Sequence, residues 1–94
     1  MSERTAASLA KADALLAHLR GSAKADDTHA TLIEETEALR RAIAAFHMEA
    51  IRFRMYSVDR TIKLGGDEAG RRLFEELRHE LETAGFHTRS HSAP

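Results

Sequence analysis

Thirty-four consecutive residues, Thr31 to Leu64, contain neither proline nor glycine. Nothing in that run forces a helix to stop, and read as one helix it spans about 50 Å. The flanks carry start and stop signals. Asp26, Asp27, Thr28 and Thr31 are all N-cap residue types, and Thr31 with Glu34 fits a capping box. Glu34, Glu35 and Glu37 stand near the positive end of the helix dipole, with Arg60 and Lys63 at the opposite end. Gly65-Gly66 closes the run, because glycine readily takes the left-handed conformation required beyond a helix C-terminus.

At ~100° per residue the apolar side chains of this run fall into two adjacent bands. Leu32, Leu39, Ile43, Phe46, Ala50 and Phe53 make the first, and Ile33, Ile51, Met55, Val58 and Ile62 the second. Together they exceed the ~100° stripe of a helix with a single buried face, so a continuous helix needs neighbours on two sides. The band changes at His47–Met48, the place where a break would fall. Tyr56 and Met48 lie outside both bands and are candidates for an interface.

Two further helices are expected. In the alanine-rich segment Ala6 to Arg20, residues Leu9, Ala12, Leu16 and Leu19 recur at amphipathic spacing. After the Gly-Gly turn, Asp67 is an N-cap type, Leu73, Phe74, Leu77 and Leu81 form one face, and Gly85 suits position C′. Phe86 would then pack back on Leu81. Gly70 lies early in this helix, marking either a close contact or a later start. The expected spans are 5–22, 29–64 and 67–84, in one domain over 1–86 with a flexible tail over 87–94.

Ninety-four residues allow one small core, and a core of that size is marginal unless something adds to it. There is no cysteine, so any metal site must use histidine and carboxylates. No apolar signal-peptide core or membrane-length run is present, and cytoplasmic location is the expectation. The formal charge of −1 gives no overall drive toward nucleic acid or acidic lipid. Charge is nevertheless segregated. Six basic residues face two acidic ones over 40–63, whereas six acidic face three basic over 67–82. An antiparallel hairpin of the last two helices would let the two segments neutralise each other.

Several constellations invite a chemical reading. Arg40, His47, Arg54 and Thr61 recur every seven residues between the two bands. Arg40, His47 and Arg54 are candidate anion ligands, and a seam arginine needs a carboxylate or bound anion beside it. Glu76-x-x-His79 has the one-turn spacing of ferritin-like carboxylate sites. A divalent metal there would need a second such motif, which a two-fold homodimer could supply, with Glu49 or Glu37 as the extra ligands; no cofactor is otherwise expected. His87 and His91 lie in the tail, and His29 at a helix start. Arg52, Phe53, Arg54 and Tyr56 mix cations with aromatics, as nucleic-acid grooves do. That reading is set aside because Phe53 falls in a core band and the acidic last helix opposes phosphate. The segment Ala17-His18-Leu19-Arg20-Gly21-Ser22-Ala23 resembles the motif of histidine phosphotransfer domains. Its basic residue stands one position early, turning His18 by ~100°, so His18 is expected to face solvent.

The sequence therefore points to an all-α chain of three helices, with one long central helix and an antiparallel hairpin. It is expected to dimerise into a bundle through Leu39, Ile43, Phe46, Phe53, Met55, Val58 and Ile62. The functional expectation is a small non-enzymatic interaction or regulatory module that self-associates and offers a helical surface to a protein partner. The alternative is an anion- or metal-binding bundle. Neither nucleic acid nor a membrane is an expected partner.

Overall fold

The computed structural model describes residues 3–22 and 26–86, with Glu3 and Arg4 as backbone only. The expected tail, with His87 and His91, lies outside the described residues. Four helices are present: α1 (Glu3–Arg20), α2 (Asp27–Ala44), α3 (Met48–Ile62) and α4 (Glu68–Thr83). The described residues contain no strand.

The expected central helix is two helices. α2 ends at Ala44, and the chain turns through Ala45, Phe46 and His47 before α3 begins. Phe46 takes φ 57°, the left-handed region that an L side chain enters at a cost. Its N–H donates to the Ile43 carbonyl at 3.0 Å, and the His47 N–H donates to the Ala42 carbonyl at 3.1 Å. That bond pair is a Schellman ending with phenylalanine where glycine is usual. His47 then caps α3, its Nδ1 accepting from the Ala50 N–H at 3.2 Å.

The break reassigns the two apolar bands. From the first band, α2 buries Leu32, Leu39 and Ile43; from the second, α3 buries Ile51, Met55, Val58 and Ile62. Each helix thus has one inward face, and most of the broad arc that seemed to demand outside partners is covered within the chain. Phe46 and Phe53, expected in the core, are 45% and 58% exposed. Phe46 sits at the break itself, and α3 is rotated so that Phe53 points outward.

The remaining helices follow their caps. Asp26 caps α2 by accepting from the His29 N–H at 2.8 Å, so that helix starts at Asp27 and Thr31 lies inside it. α3 stops at Ile62, two residues short of Leu64, and Gly66 takes φ 68° in the following turn. α4 ends with Gly85 at φ 101° and the Phe86 N–H donating 2.9 Å to the Leu81 carbonyl. Phe86 is 1% exposed and belongs to the core with Leu81, as the sequence predicts.

Cross-links between helices fix their directions. Arg20 pairs with Glu37 and Arg40 with Asp13, so α1 and α2 run antiparallel. Lys11 reaches Glu76 and His18 reaches Asp67, so α1 and α4 do as well. The start of α2 and the end of α3 share a cavity of about 180 Å³, lined by His29, Leu32, Thr61 and Ile62. α2 and α3 are therefore antiparallel, and the order is up-down-up-down. Every helix contacts its chain neighbours and α1 also packs on α4; among chain neighbours α3 and α4 pack most sparsely. One core runs through all four, centred on Leu15, Leu19, Leu39, Ile43, Ile51, Met55, Phe74 and Leu77.

Two histidines join helix ends. His29 is buried, and its Nε2 donates 2.8 Å to the Leu19 carbonyl, tying the start of α2 to the end of α1. His18, expected to face solvent, is half-buried and donates from Nε2 to Asp67 Oδ2 at 2.8 Å. The other oxygen of Asp67 caps α4, accepting from the Gly70 N–H at 2.9 Å. A Cβ on Gly70 would lie 2.6 Å from Asp67 Oδ2, so glycine leaves room for a carboxylate with two partners. Asp67→Ala removes both bonds and should cost roughly 1–3 kcal/mol in urea unfolding. Asp67→Asn, which keeps the cap, should recover most of that; equal stability of the alanine variant and the parent would contradict this role.

Candidate interaction surface

The five large apolar side chains most exposed among the described residues are Phe46, Met48, Phe53, Tyr56 and Leu64. Three belong to α3, and the other two flank it. Isolated exposed apolar residues are ordinary, but neighbouring ones with a polar rim mark a contact surface, and Phe53 and Tyr56 are neighbours on α3, three positions apart. The group arises because Ile51, Met55, Val58 and Ile62 turn one side of α3 inward, leaving Glu49, Arg52, Phe53, Tyr56 and Arg60 on the other. Two cations lie over its rings. The guanidinium of Arg54 is 5.2 Å from the centroid of Phe53, and that of Arg60 is 5.6 Å from Tyr56.

Arg52, Arg54 and Arg60 have no carboxylate at ion-pair distance among the described residues. The expected neutralisation of this segment by α4 is therefore not what the packing gives. The ion pair linking α3 and α4 runs the other way, from Arg78 of α4 to Asp59 of α3 at 3.3 Å. Arg78 is 5% exposed, also pairs with Glu75 at 3.2 Å, and lies over Phe74. Glu76 is turned toward α1, where Lys11 donates to it at 3.0 Å. The sparse contact between α3 and α4 leaves a groove of about 250 Å³, with Lys63, Arg71 and Arg72 facing Asp59, Glu68 and Glu75.

The heptad row of candidate anion ligands is divided by the helix break. Arg40 belongs to α2 and bonds Asp13 of α1, whose carboxylate holds the Arg40 pKa above its usual value through a hydrogen bond and its charge. His47 is exposed and occupied as a cap. Beside Arg54 lies the Phe53 ring, in place of the expected carboxylate. None of the three lines either cavity described above. Glu76 is half-buried in its ion pair and His79 is exposed; among the described residues no three histidines or acids gather as a metal site.

The nucleic-acid reading loses one of its two objections, since Phe53 is on the surface. Sequence reasoning left Arg60 out of any site and considered Glu49 only as a metal ligand. Their signal was available: Glu49, Phe53, Tyr56 and Arg60 are spaced 4, 3 and 4 residues apart, the repeat of a helical contact seam. It is legible only once α3 is known to bury the opposite side.

No helix among the described residues is long and apolar enough to cross a membrane. Among the described residues, the fold and this surface define an all-α, up-down-up-down arrangement with an exposed apolar-basic helix face. Comparison with known protein families, curated proteins and solved structures finds no match.

Proposed function

We propose that the chain is a small non-enzymatic interaction module that self-associates and presents a helical surface to a protein partner, with the outer face of α3 as that surface. The observation that carries this reading is the pair of exposed rings, Phe53 and Tyr56, on the outer side of α3, among arginines with no carboxylate at ion-pair distance in the described residues. Aromatic residues, methionine and arginine are the types enriched where proteins meet. The two apolar bands no longer require a dimer for burial, so self-association rests on this outer face.

A photo-reactive phenylalanine analogue placed at Phe53 or Tyr56 tests the reading in cells that naturally make the protein. Irradiation should yield protein adducts at both positions and none at Ala10, an exposed residue of α1. Absence of adducts on α3, or equal yields at Ala10, would overturn it.

A further inference from the structure

The spacing of charge and aromatic residues on α3 specifies a partner. We infer that this face pairs with the same face of a second copy, α3 antiparallel to α3 across a two-fold axis. The inference rests on the interaction reading above and supplies its geometry.

Glu49, Phe53, Tyr56 and Arg60 lie within an arc of ~60° and extend over about 16 Å of helix. The stripe reads acid, aromatic, aromatic, base. An antiparallel two-fold makes residue pairs reciprocal, so placing the axis between Phe53 and Tyr56 opposes Phe53 to Tyr56 and Glu49 to Arg60, each twice. A parallel pairing would instead set Glu49 on Glu49 and Arg60 on Arg60. Along one edge of the stripe, Arg52 of one copy approaches the Asp59 side of the other, again with opposite charge.

The charges at the two ends of the stripe and its exposed rings can meet a second copy. Glu49 and Arg60 have no ion-pair partner among the described residues. Phe53 is 58% and Tyr56 49% exposed. Nucleic acid fits the stripe less well, because Glu49 would repel phosphate and the chain carries a formal charge of −1. A seam of one short helix buries less than the ~800 Å² per partner of a standard interface. Dimerisation is therefore weak, with a Kd of micromolar or above.

Sedimentation equilibrium from about 10 μM to 1 mM, a range set by that affinity, tests this with four proteins. The parent chain should dimerise. Glu49→Arg and Arg60→Glu should each weaken the dimer by ~10-fold or more, since each opposes like charges twice. Mixing those two variants should restore association, because each then meets its opposite. Phe53→Ser should abolish it. All positions are exposed, so circular dichroism should show parent-like helicity. A second measurement needs no charge argument. The chain has no cysteine, so a Glu49→Cys chain mixed with an Arg60→Cys chain should form the mixed disulfide in preference to either homodimer.

A parent that stays monomeric, a dimer indifferent to these changes, or a mixture that fails to associate would overturn the proposal. So would a monomer whose α3 binds a labelled oligonucleotide. The two readings fail separately. Adducts at position 53 with a different protein and none with a second copy would sink the two-fold pairing alone. No adduct of any kind there would sink both.

Discussion

Ile51→Ala should destabilise the fold by about 2–5 kcal/mol, whereas Phe53→Ala should change it by no more than about 0.5 kcal/mol. The two residues are two positions apart on α3 and both are large and apolar. They differ in that Ile51 is 0% exposed and Phe53 58%. Removing the Ile51 side chain leaves a cavity between α3 and the core it shares with Leu39, Ile43 and Met55. A chain of this length has a total stability of roughly 5–14 kcal/mol, so the first loss is a large share of the whole. Thermal unfolding should fall by ~10–30 °C. The comparison belongs at a few micromolar protein, a dilution chosen to lie at the low end of the weak-dimer range. Had the central run been one helix, Phe53 would share a band with Leu39 and Ile43 and its truncation would cost the larger amount. A Phe53→Ala loss matching that of Ile51→Ala would contradict the rotation of α3 described above.

The second prediction concerns the break. Phe46→Gly should be more stable than Phe46→Ala by about 1 kcal/mol or more. Phe46 holds φ 57°, which costs an L residue about 1–2 kcal/mol and glycine nothing comparable. Both variants lose the edge-to-face contact with Phe86, whose ring centroid is 5.3 Å away. That contact contributes about 0.5–1.5 kcal/mol, so Phe46→Gly should lie near the parent while Phe46→Ala falls below it. In the interior of an unbroken helix the order reverses, with glycine about 1 kcal/mol worse than alanine. Urea unfolding of the two variants thus separates the arrangements by sign, with a swing of about 2 kcal/mol. Alanine above glycine would mean the chain does not turn at Phe46.

These two tests bear on where sequence reasoning succeeded and where it stopped. Helix ends written in local chemistry were legible. Asp67 caps α4, Gly85 takes a positive φ, and Phe86 returns to the core beside Leu81. The inward faces of α1 and α4 were legible from spacing, since Leu9, Ala12, Leu16, Leu19, Phe74, Leu77 and Leu81 are all buried. Tyr56 and Met48 also fell outside the apolar bands as the pattern indicated. Other features needed partners distant in the chain. Nothing near His18 points to Asp67, 49 residues away, or near Arg40 to Asp13. Whether the cations of α3 would meet the acids of α4 depended on how closely those helices approach.

By itself the sequence determined an all-helical chain, the residues that cap both ends of α4, and two apolar bands that change phase at His47–Met48. Those properties follow from residue type and spacing over a few positions, where hydrogen bonding and side-chain direction act. Only the tertiary structure decided that the phase change is a turn. A helix without glycine or proline breaks only when packing repays the left-handed strain at Phe46, here by giving each band its own inward face. The same packing exposed Phe53, separated Arg40 from Arg54, and left Glu49, Phe53, Tyr56 and Arg60 aligned on the surface. The side of a helix that is free to meet another molecule is fixed by the side the core consumes.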